Sequence, residues 1–325
     1  MSLDRRRFLA STSLALAASA FDIRDLLAQA AAAGQAAPAG QAPAAAAAQA
    51  PPQTAFLAVR ESVGYFTGRG GTIGYHISND GIVVVDSQMA PTAQICLDGI
   101  KERGAGRTID LLVNTHHHGD HTGGNATFKP AVGKILAHEN VPALQKEAAA
   151  RLAASRPDVV QPEQVVATAT FGKTWREKVG SDTMALKYYG PAHTKGDAVV
   201  TFEKANVVHM GDLVFNRRHP VIDRPGGASI KNWIKVLENT VKDHRDDTIY
   251  IFGHAGPKFP VTGSKADLLF QRDYLSALLE FVRAQMKDFK LRDDVVAITE
   301  PLKGFPDHGP LNKSVLAAAY DELVS

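Results

Sequence analysis

The chain of 325 residues contains a single cysteine, Cys96, so no disulfide can form within it. It also lacks an excess of charge of either sign. Outside the first 53 residues, 32 basic side chains stand against 31 acidic ones, and this balance gives no electrostatic basis for binding nucleic acid. No apolar run reaches the roughly 20 residues that cross a bilayer, so no stable membrane span is predicted.

The first 53 residues lack the large apolar side chains of a core. Residues 1–28 place paired arginines, Arg5 to Arg7, before a short Ala-rich apolar stretch, which is typical of an export signal and resembles a twin-arginine signal. Residues 29–53 are almost entirely Ala, Gln, Pro and Gly, which predicts a disordered linker. We therefore expect twin-arginine export machinery to deliver the protein to the periplasm or exterior, with the leader cleaved or kept as a membrane tether.

Residues 54–325 carry the patterns of one catalytic domain with a helical carboxy-terminal segment. Strands are predicted at Phe56–Val59, Val63–Thr67, Thr72–Ser78, Ile82–Asp86, Ala185–Tyr189, Ala198–Phe202, Asn206–Met210 and Thr248–Phe252. Helices are predicted at Pro91–Arg103, Asn140–Ser155, Ser229–Val241, Lys265–Lys287 and Asn312–Leu323. Two sheets with helices outside each predict an α/β fold, a four-layer αβ/βα sandwich. The stretches Arg156–Lys178 and Asn216–Ala228 are predicted to be loops that set substrate selectivity.

The densest chemical feature is the motif His116-x-His118-x-Asp120-His121, which follows the apolar run Ile109–Val113 and precedes several glycines. This order predicts a loop at a strand end, and its side chains are ligands that suit zinc. An adventitious His-rich tract is the alternative. Three more candidate ligands each follow a predicted strand: His193, Asp212 and His254.

The motifs resemble those of the metallo-β-lactamase-fold hydrolases. The resemblance rests on Thr-His-His-His-Gly-Asp-His-Thr-Gly-Gly-Asn (115–125), Gly-Pro-Ala-His-Thr (190–194), Met-Gly-Asp (210–212) and Gly-His-Ala-Gly-Pro (253–257). In order and spacing, the similarity extends over about residues 56–260. The resemblance implies the four-layer sandwich of that fold, and a bridging Asp is typical of its glyoxalase II-like, lactonase and phosphodiesterase members.

The same resemblance implies a dinuclear zinc site. It places one zinc on His116, His118 and His193, and a second zinc on the remaining ligands. Those are Asp120, His121 and His254, with Asp212 bridging the two ions. Two such ions lower the pKa of a shared water toward neutrality, and Asp120 is expected to orient that nucleophile as the catalytic residue.

Other residues near the motifs are weaker candidates. Asp86 is expected to accept a hydrogen bond from a ligand histidine, although capping a turn is the alternative. Asn125 and Lys195 are candidates for binding a substrate carbonyl or carboxylate, with an ordinary surface role as the alternative. Arg217 and Arg218 are candidates for contacting an anionic group.

Among the other histidines, His117 is expected to point away from the ligands, and His76, His138 and His209 are expected to be packed or exposed without binding metal.

The predicted function is cleavage of a carbonyl–heteroatom bond in a small molecule: a β-lactam amide, a lactone or a thioester. A glyoxalase II-like thioesterase is one narrower hypothesis. It is weakened because Asp197 replaces a common second histidine and no set of residues for glutathione is recognisable. A mononuclear-iron persulfide dioxygenase, with iron on His116, His193 and Asp212, is another hypothesis. A small-molecule phosphodiesterase and an inert metal-binding scaffold are further alternatives.

Overall fold

The computed structural model describes residues 53–159 and 164–325. The predicted export signal (1–28) and the predicted linker (29–53), except for its last residue, lie outside the described residues. In the part of the chain that the structure describes, no helix is both long and apolar enough to cross a membrane.

The first half of the chain forms a seven-stranded sheet in sequential order. Its strands are β1 (Ala55–Arg60), β2 (Val63–Thr67), β3 (Ile73–Ile77), β4 (Ile82–Val85), β5 (Leu111–Asn114), β6 (Ile135–His138) and β7 (Ala169–Phe171). The first four strands pair antiparallel, and β4 to β7 pair parallel. Because neighbouring parallel strands end at the same edge, the segments after β4 and β5 leave the sheet side by side.

The second half forms a six-stranded sheet and a small two-stranded pair. Its strands are β8 (Thr174–Val179), β9 (Asp182–Lys187), β10 (Val199–Phe202), β11 (Val207–His209), β12 (Phe215–Asn216), β13 (Ile249–Ile251), β14 (His254–Ala255) and β15 (Thr262–Gly263). The larger sheet runs β15-β13-β11-β10-β9-β8, and β12 pairs parallel with β14. Strands β11 and β13 are also parallel, so the segments that follow them share an edge.

Eight helices of the described residues surround these sheets: α1 (Ala90–Arg103), α2 (Gly119–Thr122), α3 (Asn125–Phe128), α4 (Val141–Ser155), α5 (Ile230–Asp243), α6 (Lys265–Lys287), α7 (Arg292–Val296) and α8 (Lys313–Val324). The predicted helices therefore match the observed ones to within a residue or two at each end. Helix α6 matches at both ends.

Alternation along the strands builds three apolar layers. In β4, Val83 and Val85 pack in the core between the two sheets, whereas Ile82 and Val84 pack under α1. Cys96 lies in that outer layer and is fully buried. A third core joins the other face of the second sheet to α5, α6 and α8. The predicted four-layer αβ/βα sandwich is confirmed.

One predicted loop was wrong in part. Within Arg156–Lys178 the structure contains β7 and most of β8. Strand β8, Thr-Trp-Arg-Glu-Lys-Val, is an edge strand whose side chains are exposed or half-buried up to its last residue. It therefore lacks the apolar alternation by which a strand is recognised in a sequence.

Candidate metal centre

Both sheets direct a metal-binding motif to the same edge. Strand β5 leads into residues 115–121, where His118 is the residue before α2 and both Asp120 and His121 lie in its single turn. From the second sheet come His193, in the connection from β9 to β10, Asp212, in a 3-10 turn after β11, and His254, the first residue of β14. All seven candidate ligands are brought together.

The first set of donors is formed by three imidazoles. His118 Nδ1 lies 3.1 Å from His116 Nε2 and 3.0 Å from His193 Nε2. Asp212 Oδ2 lies 3.8 Å from His116 Nε2 and 3.6 Å from His193 Nε2. These four atoms surround a common point, and the side chains of His116, His193 and Asp212 are almost completely buried.

The second set lies on the other side of Asp212. Asp120 Oδ2 lies 3.1 Å from His254 Nε2 and 3.7 Å from His121 Nε2. Asp212 Oδ1 lies 3.0 Å from His121 Nε2, and Asp212 Oδ2 lies 3.4 Å from His254 Nε2. Asp212 therefore faces both sets: Oδ2 lies between nitrogens of the two sets, and Oδ1 lies toward His121.

The hydrogen bonds around the rings show that these donors suit a cation. His193 Nδ1 donates to the Val221 carbonyl at 2.7 Å, and His118 Nε2 lies 3.0 Å from an Asp223 carboxylate oxygen. With those nitrogens protonated, the nitrogens that face each other across the first set carry lone pairs, which repel unless a cation lies between them. Asp212 Oδ1 is likewise buried and accepts no hydrogen bond.

Burial and charge act differently on individual imidazoles of the centre; for His118, burial opposes a charge but the Asp223 carboxylate outweighs it and raises the pKa. Burial lowers the pKa of His193 to about 3 and the pKa of His116 well below its usual value, which keeps both imidazoles neutral. Burial also opposes a charge on His254, but the carboxylates of Asp212 and Asp120 outweigh it and raise the pKa of His254 to about 9. The carboxylates of Asp212 and Asp120 therefore attract positive charge to the point where they meet.

Asp86 lies where the sequence predicted it, against a ligand histidine. Its Oδ2 is 2.7 Å from His121 Nδ1 and accepts the Thr115 hydroxyl at 2.8 Å, and its Oδ1 accepts the Thr115 backbone N–H at 2.8 Å. Thr115 Oγ1 is in turn 3.0 Å from His116 Nδ1. Asp86 has φ of +67°, so a residue in the left-handed region joins the two ligand rings.

Two of the weaker candidates serve the scaffold. Asn125 is fully buried and exchanges hydrogen bonds with Asn114, with its amide also donating to the Val165 carbonyl. Its amide oxygen and nitrogen are thus both paired within the protein, and contact with substrate stays a prediction. Lys195 is half-buried, and its backbone carbonyl accepts hydrogen bonds from Asn140 and Tyr188.

The two arginines after Asp212 differ in their surroundings. Arg217 donates to Asp267 at 3.0 Å and lies 3.6 Å above the ring of Phe270, so its guanidinium already has partners within the protein, and its contact with an anionic group stays a prediction. Arg218 lines a cavity of about 210 Å³ together with His254 and the loop at Gly68 and Gly70. Within the described residues, its guanidinium has no ion-pair or hydrogen-bond partner.

The remaining histidines are packed, and one functional contact was missed. His76, His138 and His209 are buried, and none of them belongs to a group of possible metal ligands among the described residues. His117 points away from the ligand atoms, with Nε2 3.3 Å from a carboxylate oxygen of Asp223. Sequence reasoning did not single out Asp223, because it lies 105 residues from His118 in a predicted loop with no motif around it.

Comparison with known proteins gives the family. The model of the metallo-beta-lactamase superfamily matches residues 67–254, more than half of the chain. The chain therefore belongs to this superfamily, and it is a metal-dependent hydrolase with His and Asp groups placed to bind metal.

Individual relatives are distant. The chain is 26% identical over 220 residues to a metallo-beta-lactamase type 2 from Bacillus sp. (strain 170), covering 67% of this chain and 78% of the relative. It is 29% identical over 137 residues to the 2,4-dinitroanisole O-demethylase subunit alpha of Nocardioides sp. (strain JS1661), covering 42% of this chain and 38% of the relative. A metallo-beta-lactamase from Pontibacter korlensis superposes with a TM-score of 0.54 at 19% identity, covering 69% of this chain and 99% of that structure.

Proposed function

We propose that the chain is an exported dinuclear zinc hydrolase that cleaves a carbonyl–heteroatom bond in a small molecule. The observation that carries the proposal is the pair of donor sets on either side of Asp212. The first set comprises His116, His118 and His193, and the second comprises Asp120, His121 and His254. Nitrogen and carboxylate oxygen donors in such numbers suit zinc.

Two zinc ions, when bound, lower the pKa of water and polarise the carbonyl under attack. The chain itself orients the nucleophile. Asp120 has the most exposed side chain of the seven ligands, at 22%, so its carboxylate is placed to accept a hydrogen bond from the attacking water. His116 and His193 exclude bulk solvent from the opposite side, since both are almost fully buried.

The substrate is proposed to enter by the cavity beside His254. Arg218 supplies an unpaired cation in the wall of that cavity, which favours a substrate with an anionic group near the scissile bond. Lys195 lies on the opposite ligand loop, and we keep it as a second candidate for contact with substrate.

The iron dioxygenase hypothesis uses only His116, His193 and Asp212. It leaves Asp120, His121 and His254 without a role, although these form a complete second group of donors. The second set therefore favours two zinc ions and hydrolysis over one iron ion and oxygen chemistry.

Export, the signal and the linker stay proposals that rest on residues 1–53 alone. Expression of the full chain with paired substitution of Arg5 and Arg6 by Lys tests the route, because a twin-arginine pathway requires the paired arginines. Loss of the exported protein supports the proposal, and unchanged export contradicts it.

A hydrolysis screen of the zinc-loaded protein tests the reaction. The substrates are nitrocefin, an acyl-homoserine lactone, a thioester, bis-p-nitrophenyl phosphate and, because of the demethylase relative, 2,4-dinitroanisole. We expect turnover of one carbonyl substrate and none of the phosphodiester. Turnover of the phosphodiester or of 2,4-dinitroanisole alone would contradict the proposed bond specificity.

A further inference from the structure

A three-residue segment, Val221–Asp223, lies behind two imidazoles of the first set. The Val221 carbonyl accepts from His193 Nδ1 at 2.7 Å, and an Asp223 oxygen lies 3.0 Å from His118 Nε2. Each contact is made on the ring nitrogen opposite to the one that faces the other ligands. The segment therefore sets which nitrogen of each ring carries the proton.

Asp223 is itself held firmly. Its Oδ1 accepts the Gly226 backbone N–H at 2.9 Å, its carbonyl accepts the Ala228 N–H at 2.9 Å, and its own N–H donates to the His193 carbonyl at 3.3 Å. The residue is 9% exposed. A carboxylate fixed through its side chain and its backbone can hold a neighbouring ring in one orientation.

His117 completes the arrangement from the other side. Its Nε2 lies 3.3 Å from the same Asp223 oxygen that contacts His118, and the residue is only 2% exposed. By distance alone, His117, His118 and Asp223 form a third group that could hold a cation. However, His118 directs Nδ1 into the first set, so its Nε2 carries the proton. Nε2 therefore donates to Asp223 and offers no lone pair to a cation in this third group.

We infer that Asp223 is a positioning residue that keeps His118 Nδ1 directed into the first donor set, with His117 as its second partner. The inference rests on the proposed two-zinc function. Without Asp223, the His118 ring is free to place its proton on Nδ1 or to rotate, and either change removes a lone pair from the set. Loss of such an outer partner typically weakens metal binding by roughly 10- to 100-fold.

The test measures zinc affinity by competition with a chromogenic chelator. We expect Asp223→Ala to weaken one of the two zinc sites by roughly 10- to 100-fold. Asp223→Asn keeps an acceptor for His118 but loses the charge, so we expect a smaller loss. The matched control is Asp182→Asn, which alters a carboxylate of 2% exposure, 3.9 Å from His76 Nδ1, at the opposite end of β9 from His193.

A second variant displaces Asp223 without removing it. A Cβ at Gly226 would lie 2.0 Å from Asp223 Oδ2, so Gly226→Ala forces the carboxylate away from His118. We expect this variant to lose zinc affinity as Asp223→Ala does. The visible absorption of the cobalt-loaded protein should change in both variants and stay as in the wild type for Asp182→Asn, because it reports ligand geometry independently of turnover.

Folding of each variant is checked by circular dichroism. If Asp223→Ala does not fold, the inference is tested with Asp223→Asn and Gly226→Ala. Wild-type zinc affinity and an unchanged cobalt spectrum in the folded variants would overturn this inference alone. Wild-type protein that binds no zinc would overturn the proposed function together with it.

Discussion

The histidines of the candidate centre differ in the group that holds the ring nitrogen facing away from the donor sets. Asp86 contacts His121, Asp223 contacts His118, and the Val221 carbonyl contacts His193. These outer partners matter because a neutral imidazole offers a lone pair on only one nitrogen. The groups that fix the proton on each ring therefore decide whether the motif can bind a cation.

Asp120 gives the sharpest prediction at this scale. We expect Asp120→Ala to lower kcat/KM at least 100-fold, because the variant loses both a zinc ligand and the group that orients water. Its effect on folding should be small, since the side chain is partly exposed. Steady-state kinetics and thermal melting measure the two effects, and turnover at the wild-type rate would show that the mechanism is wrong.

Asp197 gives a pH-dependent prediction. It accepts hydrogen bonds from the Thr194 N–H and hydroxyl, and burial raises its pKa to about 7 from an ordinary value of 3.8. Because the folded pKa is the higher one, the stability that this group contributes is complete below about pH 4. It is lost as the pH rises toward 7, on the order of 4 kcal/mol at most.

We expect Asp197→Asn to make the metal-free protein more stable than the wild type at pH 8 and no more stable at pH 4. Urea unfolding at both pH values measures this difference. An equal change in stability at both pH values would contradict the assignment of the raised pKa to Asp197.

The sequence predicted individual site residues well where they lie in a recognisable motif. The spacing of residues 116–121 and the short motifs around His193 and His254 led directly to residues that the fold brings together. The same reasoning missed Asp223 and did not foresee that the Asn125 amide pairs within the protein, because neither kind of contact has a characteristic spacing in the sequence. Such contacts exist only after distant loops meet.

At the scale of elements, helix α5 connects the candidate metal centre to the outer layer of helices. Its N-cap, Ser229, accepts the Asn232 N–H at 3.2 Å, and the Ser229 N–H donates to the Ala192 carbonyl, next to His193. One residue thus begins the helix and holds the end of a ligand loop.

We expect Ser229→Ala to lower the free energy of unfolding by about 1 kcal/mol, since the cap is lost. Zinc affinity should stay near the wild-type value, because the backbone bond to Ala192 is kept. Chemical denaturation and zinc titration measure the two quantities. A loss of zinc affinity as large as that expected for Asp223→Ala would show that the cap, and not the backbone, holds the ligand loop.

Element prediction succeeded where periodicity was strong. Lys265–Lys287 has apolar residues at helical spacing and a capping box between Ser264 and Asp267, and it was predicted to the residue. It failed at β7 and β8, where an edge strand exposes most of its side chains and its pairing is decided by neighbours far along the chain. A local sequence pattern does not predict a strand pairing that is set by tertiary contacts.

At the scale of the whole molecule, the candidate ligands come from both sheets. Four belong to the loop after β5, and three belong to connections of the second sheet. A metal bound at their meeting point joins the two halves of the sandwich, so binding should stabilise the entire domain.

We therefore expect removal of zinc by a chelator to lower the melting temperature, and restored zinc to raise it again. At a free zinc concentration 1,000 times the dissociation constant, each site contributes about 4 kcal/mol to stability. Differential scanning calorimetry with and without the chelator measures the change. A melting temperature that does not depend on zinc would contradict a site shared by both sheets.

The most direct test of the two-metal centre is elemental analysis of the purified protein beside its His116→Ala variant. We predict two zinc ions per chain in the wild type and a clear loss of zinc in the variant, which lacks one imidazole of the first set. One iron ion per wild-type chain, or two zinc ions retained in the variant, would contradict the account.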